Sequence, residues 1–192
     1  MSLAEAPVSS RTLTAEDLAN MPDDGIDRDL IRGELRERPM TRRNPRHSVA
    51  ETLISHYLWI WVQDQPDPTG QVVGGEAGFR LHIDPETYVG IDVAYISDEV
   101  AISLDLEHKF FDGPPILAVE ILSPSDEHGD VVEKIESYLE VGTVVWIADT
   151  NFRTITVYRP GEGPVMFNDR QEIDGDPYLP GFRAPVIKLF KR

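Results

Sequence analysis

The sequence predicts a mixed β-sheet flanked by helices, an α/β fold in its α+β form. Three observations carry this. Residues 116–149 read ILAVEILSPSDEHGDVVEKIESYLEVGTVVWIAD, two apolar runs around one short amphipathic segment. That is the pattern of a β-α-β unit whose strands lie parallel and buried. Residues 72–83 and 88–96 read as two further strands joined by a turn at Asp84-Pro85-Glu86. Between 47 and 64, Val49, Leu53, Ile54, Tyr57 and Trp61 recur at helical spacing and mark the longest helix.

Taken in order, residues 1–12 read as a disordered lead-in, and 13–192 as one domain. Thr14 and Asp17 have capping-box spacing, with Leu13 and Leu18 placed as a hydrophobic staple, so a short helix should run to about Met21 and end at Pro22. RDLIRGELRERP then reads as a hairpin turning at Arg32-Gly33. Ser48 and Glu51 again have capping-box spacing, which accounts for Glu51 as a cap. His47 stands at the start of that helix. The stretch 97–115 is polar and reads as a loop or hairpin insertion. Beyond Asp149, residues 154–158 alternate as an edge strand does, 160–182 are rich in Gly, Pro and Asp, and PVIKLF closes the fold.

Composition bounds the function. The 192 residues are ample for a core, and no apolar run approaches the ~20 residues of a membrane span. The absence of cysteine excludes disulfides and thiolate metal sites and suits a cytoplasmic protein. A net charge of -16 argues against a generic nucleic-acid binder, whose affinity comes from neutralising phosphates. It leaves room for a local basic patch. Arg36, Arg38, Arg42, Arg43 and Arg46 form the one strongly positive stretch, either a solvated loop or a phosphate-facing surface.

Two acids break the apolar pattern. Glu120 sits between Val119 and Ile121, and Asp92 stands inside VGIDVAYI. An unpaired carboxylate in such a place costs several kcal/mol of desolvation, so each should bind something: a cation, a base or a metal. Lys134 falls about 40° from Tyr138 around the helix between the two apolar runs, at the edge of the apolar stripe. From there it can snorkel outward or reach over the strand that carries Glu120. Its removal should therefore cost little stability. Two carboxylates on adjacent strands can hold Mg²⁺, and a lysine beside them can orient water or stabilise charge. Backbone donors or arginine can equally satisfy buried acids.

The succession LTAEDL, DLIRGEL, a helix opening with His47, IDVAYI, AVEILSPS, K-x-x-x-Y-x-x-x-G and VVWIAD resembles the bacterial Uma-two family of restriction endonucleases, which have the PD-(D/E)XK fold. The likeness runs from about Leu13 to Phe190. It implies a restriction-endonuclease-like sheet and Mg²⁺- or Mn²⁺-dependent hydrolysis of DNA phosphodiesters, with Asp92 and Glu120 as the metal-binding acids. The usual lysine two residues after the second acid is Leu122 here, and the resemblance moves that role to Lys134. His47 matches a recurrent histidine, and Asp29 stands where the family often has glutamate. Ile91 replaces the proline before the first acid. Nucleases of this kind often cut both strands as homodimers. Two other readings stay open: a catalytically silent or regulatory member that binds a protein through its acidic surface, and a hydrolase of smaller phosphate esters.

Overall fold

The computed structural model describes residues 12–22, 24–39, 44–104, 110–123 and 128–190. In chain order these give α1 (Ala15–Ala19), β1 (Ile26–Ile31), β2 (Glu34–Pro39), α2 (Pro45–Gln63), β3 (Gln71–Ile83), β4 (Glu86–Ile96) and α3 (Asp98–Ile102). There follow β5 (Phe110–Asp112), β6 (Leu117–Ile121), α4 (His128–Glu140), β7 (Val144–Asp149), β8 (Thr154–Tyr158), β9 (Val165–Phe167), β10 (Glu172–Asp174), β11 (Arg183–Pro185) and a 3₁₀ turn at Val186–Leu189. Nine strands join one mixed sheet in the order β2-β1-β4-β6-β7-β8-β9, with β3 on β4 and β5 on β3. The β10-β11 pair stands apart from it. The disordered lead-in expected at the start falls, through residue 11, outside the described residues.

The continuous apolar runs of β6 and β7 pair in parallel, as their pattern predicts, from Leu117↔Val144 to Ile121↔Ala148. Both faces of this pair are buried, which is why neither run alternates. Leu117, Val119, Ile121, Val144, Trp146 and Ala148 pack with α2 and the C-terminal segment. Ala118, Val145 and Ile147 pack with Ile135 and Tyr138 of α4. Helices thus cover both sides of the central strands. Among the described residues no helix is long and apolar enough to cross a membrane.

Several local expectations change. Thr14 and Asp17 do form a reciprocal capping box, and Leu13 and Leu18 pack on Leu30, Tyr88 and Phe110. On α2, however, the cap is Asn44, with Pro45 in the first turn, so Ser48 lies inside the helix and Glu51 is released from capping. Its buried stripe is Ala50, Ile54, Leu58 and Val62, rotated from the expected one. Tyr57 and Trp61 only flank that core. The β8 strand is internal, because β9 pairs outside it. The stretch after Ile96, read as a loop or hairpin insertion, holds α3 and β5, the latter parallel to β3.

Candidate functional site

The site begins as a gap along one edge of β4. On that edge β1 pairs only at Leu30↔Tyr88, and β6 pairs only from Val93↔Val119 to Tyr95↔Leu117. Between these contacts the backbone of β4 must find other partners, since a buried peptide group left unpaired is costly. Gly90 finds two side chains. Its N–H donates to Asp29 Oδ1 at 2.9 Å, and its carbonyl accepts from Lys134 Nζ at 2.9 Å. Asp29 is 4% exposed and takes a further bond from Arg38, at 2.6 Å to Oδ2. A Cβ on Gly90 would lie 2.7 Å from Glu76 Oε2, so only glycine lets that carboxylate come so near.

Asp92 stands where β4 and β6 part. Its Oδ2 accepts the Ile121 N–H at 2.8 Å, in place of a ladder carbonyl. His47 Nε2, on α2, lies 3.2 Å from the same oxygen. Across the other edge of β4, Gly74 pairs with Val93 and Ala77 with Ile91, so Gly75 and Glu76 together oppose Asp92. This is a β-bulge, which bends a strand and re-aims its side chains. Gly75 and Glu76 both take positive φ, and the Gly75 N–H donates to Glu51 Oε1 at 3.0 Å. On both edges of β4, therefore, a carboxylate replaces a backbone acceptor. Among the described residues His47, Glu51 and Asp92 form one group of metal-capable side chains, with a ligand atom from each within 4.8 Å of the others.

Glu120, beside Ile121 on β6, faces α4. Tyr138 donates its hydroxyl to Oε1 at 2.5 Å, and Lys134 Nζ lies 3.1 Å from the same oxygen. Lys134 is also 3.5 Å from Asp29 Oδ2. Burial lifts the Glu120 carboxyl to about 7; Asp92 and Glu76 add to the rise, while Lys134 and Tyr138 oppose it. Although burial disfavours its charge, the Lys134 ammonium is held above the ordinary lysine range by Asp29 and then Glu120. The Tyr138 phenol is raised by burial and by the charge of Glu120, so it stays a donor.

These shifts predict a pH signature. The folded Glu120 carboxyl sits above its unfolded value of 4.5, so folding takes up a proton between there and about 7. Its contribution to stability is greatest below that window and is lost as pH rises through it, by at most about 3 kcal/mol. Glu120→Gln cannot titrate. Urea unfolding of wild type and variant from pH 4.5 to 7.5 should show a stability difference that changes across the window and flattens above it. A pH-independent difference would contradict the burial of this carboxyl.

Of the residues singled out in the sequence, the structure brings Asp29, His47, Asp92, Glu120 and Lys134 into this one region. The arginine stretch is divided. Arg36 is committed to Glu34 and Glu133 and Arg38 to Asp29, whereas Arg46 reaches Asn151 in the turn after β7. Arg42 and Arg43 lie outside the described residues. Sequence reasoning passed over Glu51, explained away as a cap, and Tyr138, counted as core. It also missed Glu76, which the Gly74-Gly75 pair inside a strand could have signalled as a bulge.

The model of the Uma2 family, described as "Putative restriction endonuclease", matches residues 15–187. No curated protein matches the chain. Among solved structures, a putative nuclease belonging to DUF820 from Anabaena variabilis superposes with a TM-score of 0.74. It is 18% identical, over 92% of this chain and 97% of that one. At that identity the likeness speaks for the fold.

Proposed function

Since the chain belongs to the Uma2 family, we propose that it is a divalent-metal-dependent endonuclease that hydrolyses DNA phosphodiester bonds. The observation that carries this reading is the convergence of Asp92, Glu120 and Lys134 at the fork between β4 and β6, with His47 and Glu51 alongside. The donor set fits a hard divalent cation. It offers carboxylate oxygens and one imidazole, which suit Mg²⁺ and Mn²⁺. Asp92 and Glu120 would hold the ion, with His47 and Glu51 as further donors on the Asp92 side. Such an ion supplies Lewis-acid charge at the scissile phosphate and acidifies the attacking water.

The chain's own residues do the rest. Tyr138 and Lys134 fix Glu120 in one orientation. Lys134 keeps its positive charge beside the carboxylates and stabilises negative charge growing on phosphate. Asp29 and the Gly90 carbonyl hold that ammonium in place. A homodimer cutting both strands, in the cytoplasm, completes the reading.

The test is cleavage of supercoiled plasmid and single-stranded DNA in Mg²⁺ or Mn²⁺. Wild type should nick or linearise, while EDTA or Glu120→Ala should leave the DNA intact. A protein that binds neither ion and cuts no DNA would overturn the proposal in favour of a silent, protein-binding member, which the net charge of -16 suits.

A further inference from the structure

Apart from the site above, a cavity lies beyond the carboxyl end of β7, where the chain turns through residues 150–153. It encloses about 410 Å³ and is lined by Arg46, Arg153, Thr150, Asn151, Val49 and Phe190, among others. Two guanidinium groups therefore border one hollow in a chain whose net charge is -16. Neither is strongly engaged. Arg153 lies 3.9 Å from Asp169, with both side chains well exposed, a kind of pair that contributes little. Arg46 makes a 3.5 Å contact to Asn151 Oδ1. The turn itself is held, because the N–H groups of Asn151 and Phe152 both donate to Asp149 Oδ1. The site thus combines two cations, an amide and a hydroxyl with an apolar wall from Val49 and the buried Phe190.

That combination matches one nucleotide unit: guanidinium groups for the phosphate, the apolar wall for sugar or base. Its position is set by two connections. Arg46 immediately precedes His47, whose Nε2 lies 3.2 Å from Asp92 Oδ2. Glu120 pairs with Ile147 on β7, four residues before Asn151, so the cavity lies on the order of 10 Å further along the strand direction. At 3.4 Å per base step that is about three steps from the acids. In sheets with parallel strands, ligands gather beyond the carboxyl ends, where both features lie.

We propose that this cavity binds a flanking phosphate of the cleaved DNA strand, about three base steps from the scissile one, with Arg46 and Arg153 as its ligands. The inference rests on the nuclease reading above and names a part of that substrate's path.

The experiment measures anisotropy of a fluorescent 20-base-pair DNA duplex with the full chain in Ca²⁺, at several salt concentrations, beside plasmid cleavage in Mg²⁺. Arg46→Ala and Arg153→Ala should each weaken binding about tenfold at low salt and reduce the slope of log K against log salt by about one. Arg32→Ala, an exposed arginine paired with Glu140 ahead of the start of β7, should bind as wild type. Arg153→Gln serves if the alanine variant melts early. If wild type binds and cuts while the Arg46 and Arg153 variants keep its affinity and slope, this inference is overturned and the nuclease reading stands. If wild type neither binds nor cuts any DNA, both fall together.

Discussion

Lys134→Ala should abolish metal-dependent cleavage and lower unfolding stability by about 3–5 kcal/mol. The helical wheel places this residue at the edge of a stripe, where removal looks cheap. The structure instead buries it to 5% exposure, between Glu120 at 3.1 Å and Asp29 at 3.5 Å. Without the ammonium, two enclosed carboxylates lose their shared counter-charge, and the Gly90 carbonyl loses its donor. Glu120 should respond by taking up a proton above pH 7, since Lys134 is the largest influence holding its carboxyl down. Lys134→Met keeps most of the volume and should lose nearly as much, separating charge from packing. Urea unfolding at pH 8 with plasmid cleavage checks both halves. A variant as stable as wild type would mean that the ammonium does not compensate these acids. An active one would remove Lys134 from the chemistry.

The second large effect concerns Asp92, where two substitutions should divide its duties. Asp92→Ala leaves the Ile121 N–H without its acceptor, at a cost of about 1–3 kcal/mol. Asp92→Asn keeps an oxygen there and should recover most of that stability. Neither can supply the anionic ligand, so both should cleave at roughly a thousandth of the wild-type rate or less, as loss of several kcal/mol of transition-state stabilisation requires. Calorimetry offers a readout independent of cleavage. Saturating Mg²⁺ should stabilise wild type by about 2.7 kcal/mol at a hundredfold excess over Kd, and neither variant should respond. A Mg²⁺ shift that survives in Asp92→Asn would place the ion elsewhere.

The two acids were legible because each breaks an otherwise apolar run, and no competing local rule explains them away. Glu51 had such a rule. Its spacing from Ser48 fits a cap, and only the position of Asn44 and Pro45 shows the helix starting a turn earlier. Lys134 was legible as a direction but not as a depth. A helical wheel gives the angle of a side chain, whereas its burial depends on how near the sheet edge comes, here within hydrogen-bonding reach of Gly90. The parallel β6-β7 pair was plain because both of its faces are covered. By contrast β5, β9, β10 and β11 are three residues each, too short for an alternation to show.

The bulge in β3 also makes the spacing of the chain matter in a way its chemistry does not. The extra residue in β3 bends that strand opposite Asp92, and the bend re-aims the side chains on either side of it. Replacing Gly75 would strain one backbone conformation. Deleting either Gly75 or Glu76 would instead leave one residue opposite Asp92 and close the bulge, with the pairing from Ala77↔Ile91 outward unchanged. Asp92 would then face an ordinary ladder partner, and the bulge that now turns the Gly75 N–H to Glu51 and brings the Glu76 carboxylate over Gly90 would be gone. Homologous chains should therefore tolerate substitution here far more readily than insertion or deletion, and a length change at this point would mark a protein whose acids no longer meet.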